Sequence, residues 1–393
     1  MSRRILVITT SRADYGLLCP LLDALAGDPD IDVQLAACGS HLAPDFGETV
    51  QEIEADGRHV AVRFPTVLPE GEPMANSLAL ATRGAGGAIA RLDPDIVLLP
   101  GDRYEILAAA SAALVARVPV AHYGGGQLTE GAWDDAIRHA VTKLSHLHFT
   151  ATESYRQRIV QLGENPAHVF VSGSLGLDNI ARAELWSREA LERDLGFSFG
   201  SESALVTFHP ATLEAESPGR QVNELLEALD AFPEMRLVFT QPNADEGGRA
   251  VARAIREFVD DRRERCLMVM SLGRTRYLSA LRIADFVIGN SSSGIIEAPS
   301  FGIPTVNIGD RQRGRIRAAT ILDCPPERSA IAAAIARACD PAFRAGLVGA
   351  VNPYGDGRAA GRIHRVLREF PLDNLLRKQF HDIDFRDGNA TSF

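Results

Sequence analysis

Short apolar runs alternate with longer amphipathic stretches along most of this chain, and that rhythm is what most restricts its fold. Residues 5–9, 33–37, 96–99, 118–122 and 147–150 are each dominated by apolar side chains, and each runs into a Gly, Asp or Ser turn. A strand without polar alternation is covered on both faces, the condition of a parallel sheet flanked by helices. A second series follows Asp178, at 204–208, 237–240, 266–270, 286–288 and 305–308. Two doubly wound, Rossmann-like α/β domains are the expectation. The first is expected over 1–175 and the second over 176–355, with a helix over 356–380 returning to the first domain and a tail over 381–393. In such sheets ligands bind beyond the C-terminal strand ends, so the residues that do chemistry should follow strands and face a cleft between the domains.

At 393 residues the chain is too long for one core. A hydrophobic content of 46% with 23% charged residues is that of a globular protein. The net charge of -10 argues against nucleic-acid binding, which draws on clustered Lys and Arg. Residues 5–9, behind Arg3 and Arg4, are too few for a signal-peptide core or a membrane span and read as a first strand. Cys19, Cys38, Cys266, Cys324 and Cys339 are odd in number and never in a CxxC or Cys/His ligand spacing. Reduced thiols in a cytoplasmic protein are expected, with no metal, no cofactor and no membrane partner.

The densest signal is Gly289-Asn290-Ser291-Ser292-Ser293-Gly294, set between the strand at 286–288 and an apolar segment opening at Ile295. Small residues let the backbone approach a ligand, the free N–H groups of a helix start point at it, and hydroxyls add donors. Ser291, Ser292, Ser293 and Gly294 are therefore candidates to hold phosphate, and Glu297, one turn further on, to accept from a ribose diol. An ordinary N-cap has the same composition. In the turn Ser11-Arg12-Ala13-Asp14-Tyr15-Gly16, Arg12 is placed to fork onto a phosphate; a surface arginine beside an N-capping Asp14 is the alternative. After 96–99 come Asp102, a general acid/base candidate, and Arg103 as its electrostatic partner, unless the two form a structural ion pair.

The stretch 122–139 is the richest. Its glycines let the backbone pass close to a sugar or phosphate, and Asp134 and Asp135 open the next helix, whose dipole favours the ionised form. Glu130 and Gln127 lie between them and the strand. His139, His146 and His148 read as packed histidines rather than ligands. His209, followed by Pro210, is expected to project exposed from its strand, to donate to a diphosphate or protonate a leaving group. Arg311 and Arg313 follow 305–308 and are candidates to neutralise phosphate, a solvated basic loop being the alternative.

In this order the turns resemble those of the hydrolysing nucleotide-sugar 2-epimerases, whose fold is GT-B-like. The motifs that carry the resemblance are Arg-Ala-Asp-Tyr at 12–15, Cys-Gly-Ser-His-Leu at 38–42, Gly-Asp-Arg at 101–103 and Asp-Asp-x-x-Arg-His-x-x-Thr-Lys-x-Ser-His at 134–146. The His-Pro turn at 209, the serine loop and Tyr-Gly-Asp-Gly at 354–357 complete it, over residues 5–369 in all. The resemblance implies conversion of UDP-N-acetylglucosamine, or a 4-amino-6-deoxy or GDP-linked relative, to nucleoside diphosphate and a free 2-epimerised, N-acetylmannosamine-like sugar. Such products feed sialic or legionaminic acid synthesis. It implies that a base removes the C2 proton as the nucleotide leaves C1, giving a glycal to which water adds with inverted C2. Asp102 and Asp134 would be the acid/base carboxylates, and His209 a diphosphate contact. Ser291, Ser292, Glu297 and Arg311 would hold the nucleotide with Arg12 on its phosphates, in a homodimer.

At one turn the chain departs from that pattern. A His-x-Glu-Gly-Gly-Glu or His-x-His-Gly-Gly-Glu turn would be usual, but His122-Tyr123-Gly124-Gly125-Gly126-Gln127 stands here. Gln127 can hold a sugar hydroxyl but cannot move a proton, and loss of a general acid/base costs about 10²-fold or more. Either Glu130 or Asp135 substitutes, or the scaffold serves as a nucleotide-sugar hydrolase or transferase, or as a binder without turnover.

Overall fold

The structure is a computed structural model, and it describes residues 2–44, 47–68, 72–129, 133–210, 218–242, 248–270 and 272–383. The chain divides into two compact units. The first comprises Met1–Gln127, Trp133–Leu175 and Arg358–Phe393, and the second chiefly Gly176–Gly357.

The strands of the first unit are β1 (Arg3–Thr9), β2 (Ile31–Cys38), β3 (Val60–Phe64), β4 (Ile96–Pro100), β5 (Val120–Tyr123), β6 (Leu147–Thr150) and β7 (Val169–Val171). They form one sheet in the order β3-β2-β1-β4-β5-β6-β7, every pair parallel. In β1 the four residues Ile5, Leu6, Val7 and Ile8 are wholly buried, because side chains alternate between two covered faces. Ile5 and Val7 pack with Leu18, Leu21 and Leu25 of the helix Arg12–Ala26 and with Ile363 and Leu367 of the helix Ala359–Glu369. Leu6 and Ile8 pack on the other side, with Ala81 and Ala85 of the helix Met74–Leu92 and Ala109 of the helix Tyr104–Ala116. Each such residue contributes about 2–3 kcal/mol by leaving water, which makes this strand a large part of the unit's stability.

The second unit holds β8 (Ser203–Thr207), β9 (Arg236–Thr240), β10 (Cys266–Val269), β11 (Phe286–Gly289), β12 (Thr305–Ile308) and β13 (Ile321–Cys324). Their order is β10-β9-β8-β11-β12-β13, again all parallel. Ala204 and Val206 of β8 face one cluster of buried side chains and Leu205 the other. In both sheets the order reverses direction next to the first strand, between β1 and β4 and between β8 and β11. That reversal opens a crevice at the C-terminal strand ends where a doubly wound sheet takes its ligand.

The apolar-run pattern missed β3 and β13. Both are edge strands with half-exposed residues, and Arg63 and Asp323 interrupt their apolar sequence. The final helix also differs from expectation: it ends at Glu369, and 371–383 contains no helix. Pro371 explains the stop, since the residue before a proline is driven out of the helical region, and Phe370 is extended at φ -66 and ψ 127. Among the described residues, no helix is long and apolar enough to cross a membrane.

Candidate functional site

In the second unit the serine loop starts where β11 ends. Gly289 lies opposite Thr207 of β8 with φ +133, and a Cβ there would sit 1.9 Å from the Thr207 carbonyl oxygen. Only glycine lets the chain turn so close to the neighbouring strand. Asn290, 2% exposed, then ties three loops together. Its side-chain oxygen accepts from the His209 N–H at 2.7 Å, and its amide donates to the His209 carbonyl at 2.8 Å. Its own carbonyl accepts from Arg311 Nη1 at 3.1 Å and Gln312 Nε2 at 2.9 Å. Ser291 caps the short helix Ser292–Ile296, accepting from the Ser293 N–H at 3.4 Å.

Glu297 is the C-cap of that helix, and Ser293 Oγ donates to its carboxylate. The Tyr277 hydroxyl in turn donates to Ser293 Oγ at 2.7 Å. Burial raises the Glu297 pKa, with the Ser293 hydroxyl opposing, and burial likewise raises that of Tyr277. Ser291, Ser293 and Glu297 line a cavity of about 500 Å³ together with Thr207, Thr240 and Leu272, at the ends of β8, β9, β10 and β11. That volume suits a small organic ligand such as a nucleoside with its phosphates.

One expectation for this unit needs correction. His209 is not exposed; it is 8% accessible, because Asn290 holds its backbone inward. Burial, and then the charge of Arg311, pulls its pKa down to about 4, so it is neutral near pH 7 and cannot serve there as a protonated acid. Arg311 joins the serine loop through Asn290, but Arg313 is exposed, pairs with Asp310 at 3.6 Å and lines a separate hollow with Arg317. Gly294 packs against Thr305, whose Oγ1 donates to the Gly294 carbonyl at 2.9 Å.

In the first unit the turn after β1 is built on Asp14, which is not the N-cap of the alternative reading. Ser11 caps the helix, and Asp14 at its third position completes a capping box. Burial alone would raise the Asp14 pKa, but hydrogen bonds from His41, Thr10 and Thr9 outweigh it and hold the carboxyl low. Arg12 points away from this network and pairs with Glu52 at 3.0 Å on the exposed surface.

The turn after β4 is also paired differently from the expectation. Arg103 forks onto buried Glu105, with Nε and Nη2 each 3.1 Å from a carboxylate oxygen. The partner of Asp102 is instead Arg138, 3% exposed, on the helix Trp133–Leu144. Its Nε donates to Asp102 Oδ2 at 2.9 Å, and Nη2 donates to the same oxygen. Its Nη1 donates to Asp135 Oδ1 and to the Gln127 carbonyl, both at 3.0 Å. His139 Nε2 lies 3.3 Å from the other Asp135 oxygen. Asp134 is partly buried in the first turn of the helix, and Glu130 lies outside the described residues.

Beneath them His122 is wholly buried, its Nε2 on the Gly101 carbonyl at 2.8 Å and its Nδ1 by Thr142 Oγ1 at 3.3 Å. Burial drives its pKa down to about 3, so it is a neutral spacer. Gly126 has φ +78, and a Cβ would meet the Tyr155 carbonyl at 2.3 Å. Gly124, with φ +96, has nothing nearer its Cβ position than Gly101 N at 3.7 Å, so crowding does not explain the missing side chain. Arg138 and Asn290 are the functional residues that the sequence reading passed over. The spacing of Arg138 three and four residues after two aspartates was the available signal for one; nothing local marked the other.

The family described as UDP-N-acetylglucosamine 2-epimerase matches residues 23–368. The GDP/UDP-N,N'-diacetylbacillosamine 2-epimerase (hydrolyzing) of Campylobacter jejuni is 36% identical over 384 residues, covering 97% of this chain and 99% of the relative. The UDP-N,N'-diacetylbacillosamine 2-epimerase (hydrolyzing) of Legionella pneumophila is 35% identical over 96% of this chain and 98% of its own. Among solved structures, a putative UDP-N-acetylglucosamine 2-epimerase from Listeria monocytogenes superposes with a TM-score of 0.81 at 20% identity, over 98% of this chain and 100% of that one. The UDP-GlcNAc 2-epimerase from Neisseria meningitidis, bound to UDP-GlcNAc, gives 0.80 at 18% identity, over 93% and 99%. At those identities the likeness is one of fold. The chain belongs to the UDP-N-acetylglucosamine 2-epimerase family.

Proposed function

We propose that the chain converts UDP-N,N'-diacetylbacillosamine, a 2,4-diacetamido-6-deoxy sugar nucleotide, to UDP and the free 2-epimer. The observation that carries the chemistry is the meeting of Asp102 and Asp135 on the buried guanidinium of Arg138. The substrate class is supported by the two relatives at 35–36% identity whose names specify this sugar.

The C1–O bond is poor at breaking without charge stabilisation, and the C2–H bond is barely acidic, so the two must break together. Asp102 takes the C2 proton. Both Arg138 bonds to it fall on Oδ2, so among the described residues nothing donates to Oδ1, which can accept. The C2–H electron pair becomes the C1=C2 bond of a glycal, and the C1–O pair leaves with UDP. The departing diphosphate is held by the Ser291, Ser292 and Ser293 loop, by neutral His209 as a single N–H donor, and by Arg311. Glu297 accepts from the ribose diol, and the cavity beside Leu272 takes the base. Gln127 holds a sugar substituent. Protonation at C2 on the opposite face, with Asp134 among the groups available, and addition of water at C1 give the free epimer. The product is of the class consumed in sialic-acid-type synthesis, and the enzyme acts as a cytoplasmic homodimer, which size-exclusion chromatography with light scattering tests directly.

The decisive experiment incubates the purified protein with this substrate in D₂O and follows the products by NMR. Release of UDP with deuterium at C2 of the free sugar is expected. Release with C2 hydrogen retained would refute elimination and favour a simple hydrolase or transferase, the reading that Gly124 and Gln127 invite. Running GDP- and UDP-linked sugars side by side fixes the base.

A further inference from the structure

Elimination and hydration on opposite faces of C2 need two proton-transfer groups, and the turn 122–127 supplies none. Gly124 has no side chain, Gln127 has no titratable one, and both nitrogens of His122 are occupied. The Tyr123 hydroxyl accepts from the Leu175 N–H at 2.8 Å. Arg103 is committed to Glu105. Around Arg138 stand Asp102 and the pair Asp135–His139, one helical turn apart.

We propose that Asp135 and His139 together form the second proton-transfer unit of the reaction, in place of the carboxylate absent at Gly124. This rests on the epimerase reading above. The two oxygens of Asp135 have different partners: Oδ1 faces Arg138 Nη1 at 3.0 Å, and Oδ2 faces His139 Nε2 at 3.3 Å. Oδ2 therefore has beside it a ring nitrogen that can pass it a proton, which a guanidinium cannot do. His139 also has a buried Nδ1 with no hydrogen-bond partner among the described residues. A buried ring nitrogen without a partner costs free energy in a resting fold, so a working role is the natural account of it.

In the hydration half-reaction the C1=C2 pair of the glycal takes, through Asp135 Oδ2, the one proton that Oδ2 and His139 Nε2 hold between them, leaving a carboxylate and a neutral imidazole. The resulting cation at C1 is captured by a water oxygen, and the proton that water sheds passes to solvent, as does the one Asp102 took from C2. Solvent then recharges His139. His139 acts through Asp135 and is a positioning and proton-supplying residue, while Asp135 meets the substrate.

The test uses full-length His139→Gln and Asp135→Asn with UDP-N,N'-diacetylbacillosamine in D₂O, scoring UDP, glycal and free sugar separately. His139→Gln is expected to release UDP but accumulate the glycal, with free-sugar formation down about 10²-fold or more and KM within about twofold of wild type. Added imidazole should restore hydration in His139→Ala. The proposal is overturned if His139→Gln forms deuterated free sugar at the wild-type rate. It also fails if UDP release falls in step with sugar formation in a protein that still folds and binds UDP. Glycal accumulation in Glu130→Gln but not in His139→Gln would assign the role to Glu130. If wild-type enzyme makes no C2-deuterated sugar, the epimerase reading itself has failed, a result distinct from all of these.

Discussion

Removing Arg138 should cost more in stability than any other single change in the first unit's polar site, and the cost should be reversible by removing its partners. Arg138→Met keeps the volume of the stem and deletes the guanidinium. It leaves Asp102 and Asp135 facing each other without the four hydrogen bonds now made to Asp102, Asp135 and the Gln127 carbonyl. Breaking a fully buried ion pair costs about 3–5 kcal/mol. Here the two carboxylates are 30% and 28% exposed, so water recovers part of that. A loss of about 2–3 kcal/mol is expected, measured by denaturant unfolding at pH 7.5. Most of it is uncompensated charge rather than lost packing, so Arg138→Met/Asp102→Asn/Asp135→Asn should regain at least half of the loss. The triple variant should be inactive all the same, because the acid/base groups are gone. A triple variant no more stable than Arg138→Met would refute the electrostatic account and leave packing as the cause.

Gly289→Ala should abolish UDP binding in titration calorimetry, since its methyl would lie 1.9 Å from the Thr207 carbonyl oxygen; unchanged affinity would mean the serine loop does not hold the nucleotide. Glu297→Gln should weaken UDP by about tenfold while leaving 2'-deoxy-UDP nearly unaffected, because only the diol loses its acceptor. Stability should fall as pH drops from about 6.5 towards 4. His146 and His209, with pKa values lowered to about 4 by burial, take up protons on unfolding in that window. The unfolded state binds more protons there, so ΔG of unfolding rises with pH by up to about 1.4 kcal/mol per pH unit for each. A flat profile between pH 6.5 and 4.5 would count against buried neutral histidines.

Much of this architecture is legible in the sequence because β1, β4 and β8 are buried on both faces and announce themselves as unbroken apolar runs. β3 and β13 do not, because an edge strand has an exposed side and its polar residues break the run. The candidate residues were found for the same topological reason, as the turns after β1, β4, β8 and β11 lie at the two sheet reversals. What stayed hidden were partnerships across the fold. Asp102 has an arginine next to it in the chain, yet its partner is 36 residues away on another helix. His209 looks exposed beside Pro210, and its burial depends on an asparagine 81 residues on. Local chemistry names a residue type, but the charge it sees is set by what the sheet brings alongside.

The helix Ala359–Glu369 closes one face of the first unit, packing Ile363 and Leu367 onto Leu18, Leu21 and Leu25. That has a consequence during synthesis. The ribosome makes Leu18 first and Ile363 last, with the whole of Gly176–Gly357 between them. At about 5–20 residues per second, that interval of about 180 residues lasts roughly 10–40 s. Throughout it the nascent first unit presents an uncovered strip of leucines. Truncation before Ala359 should therefore yield a chain that chaperones retain.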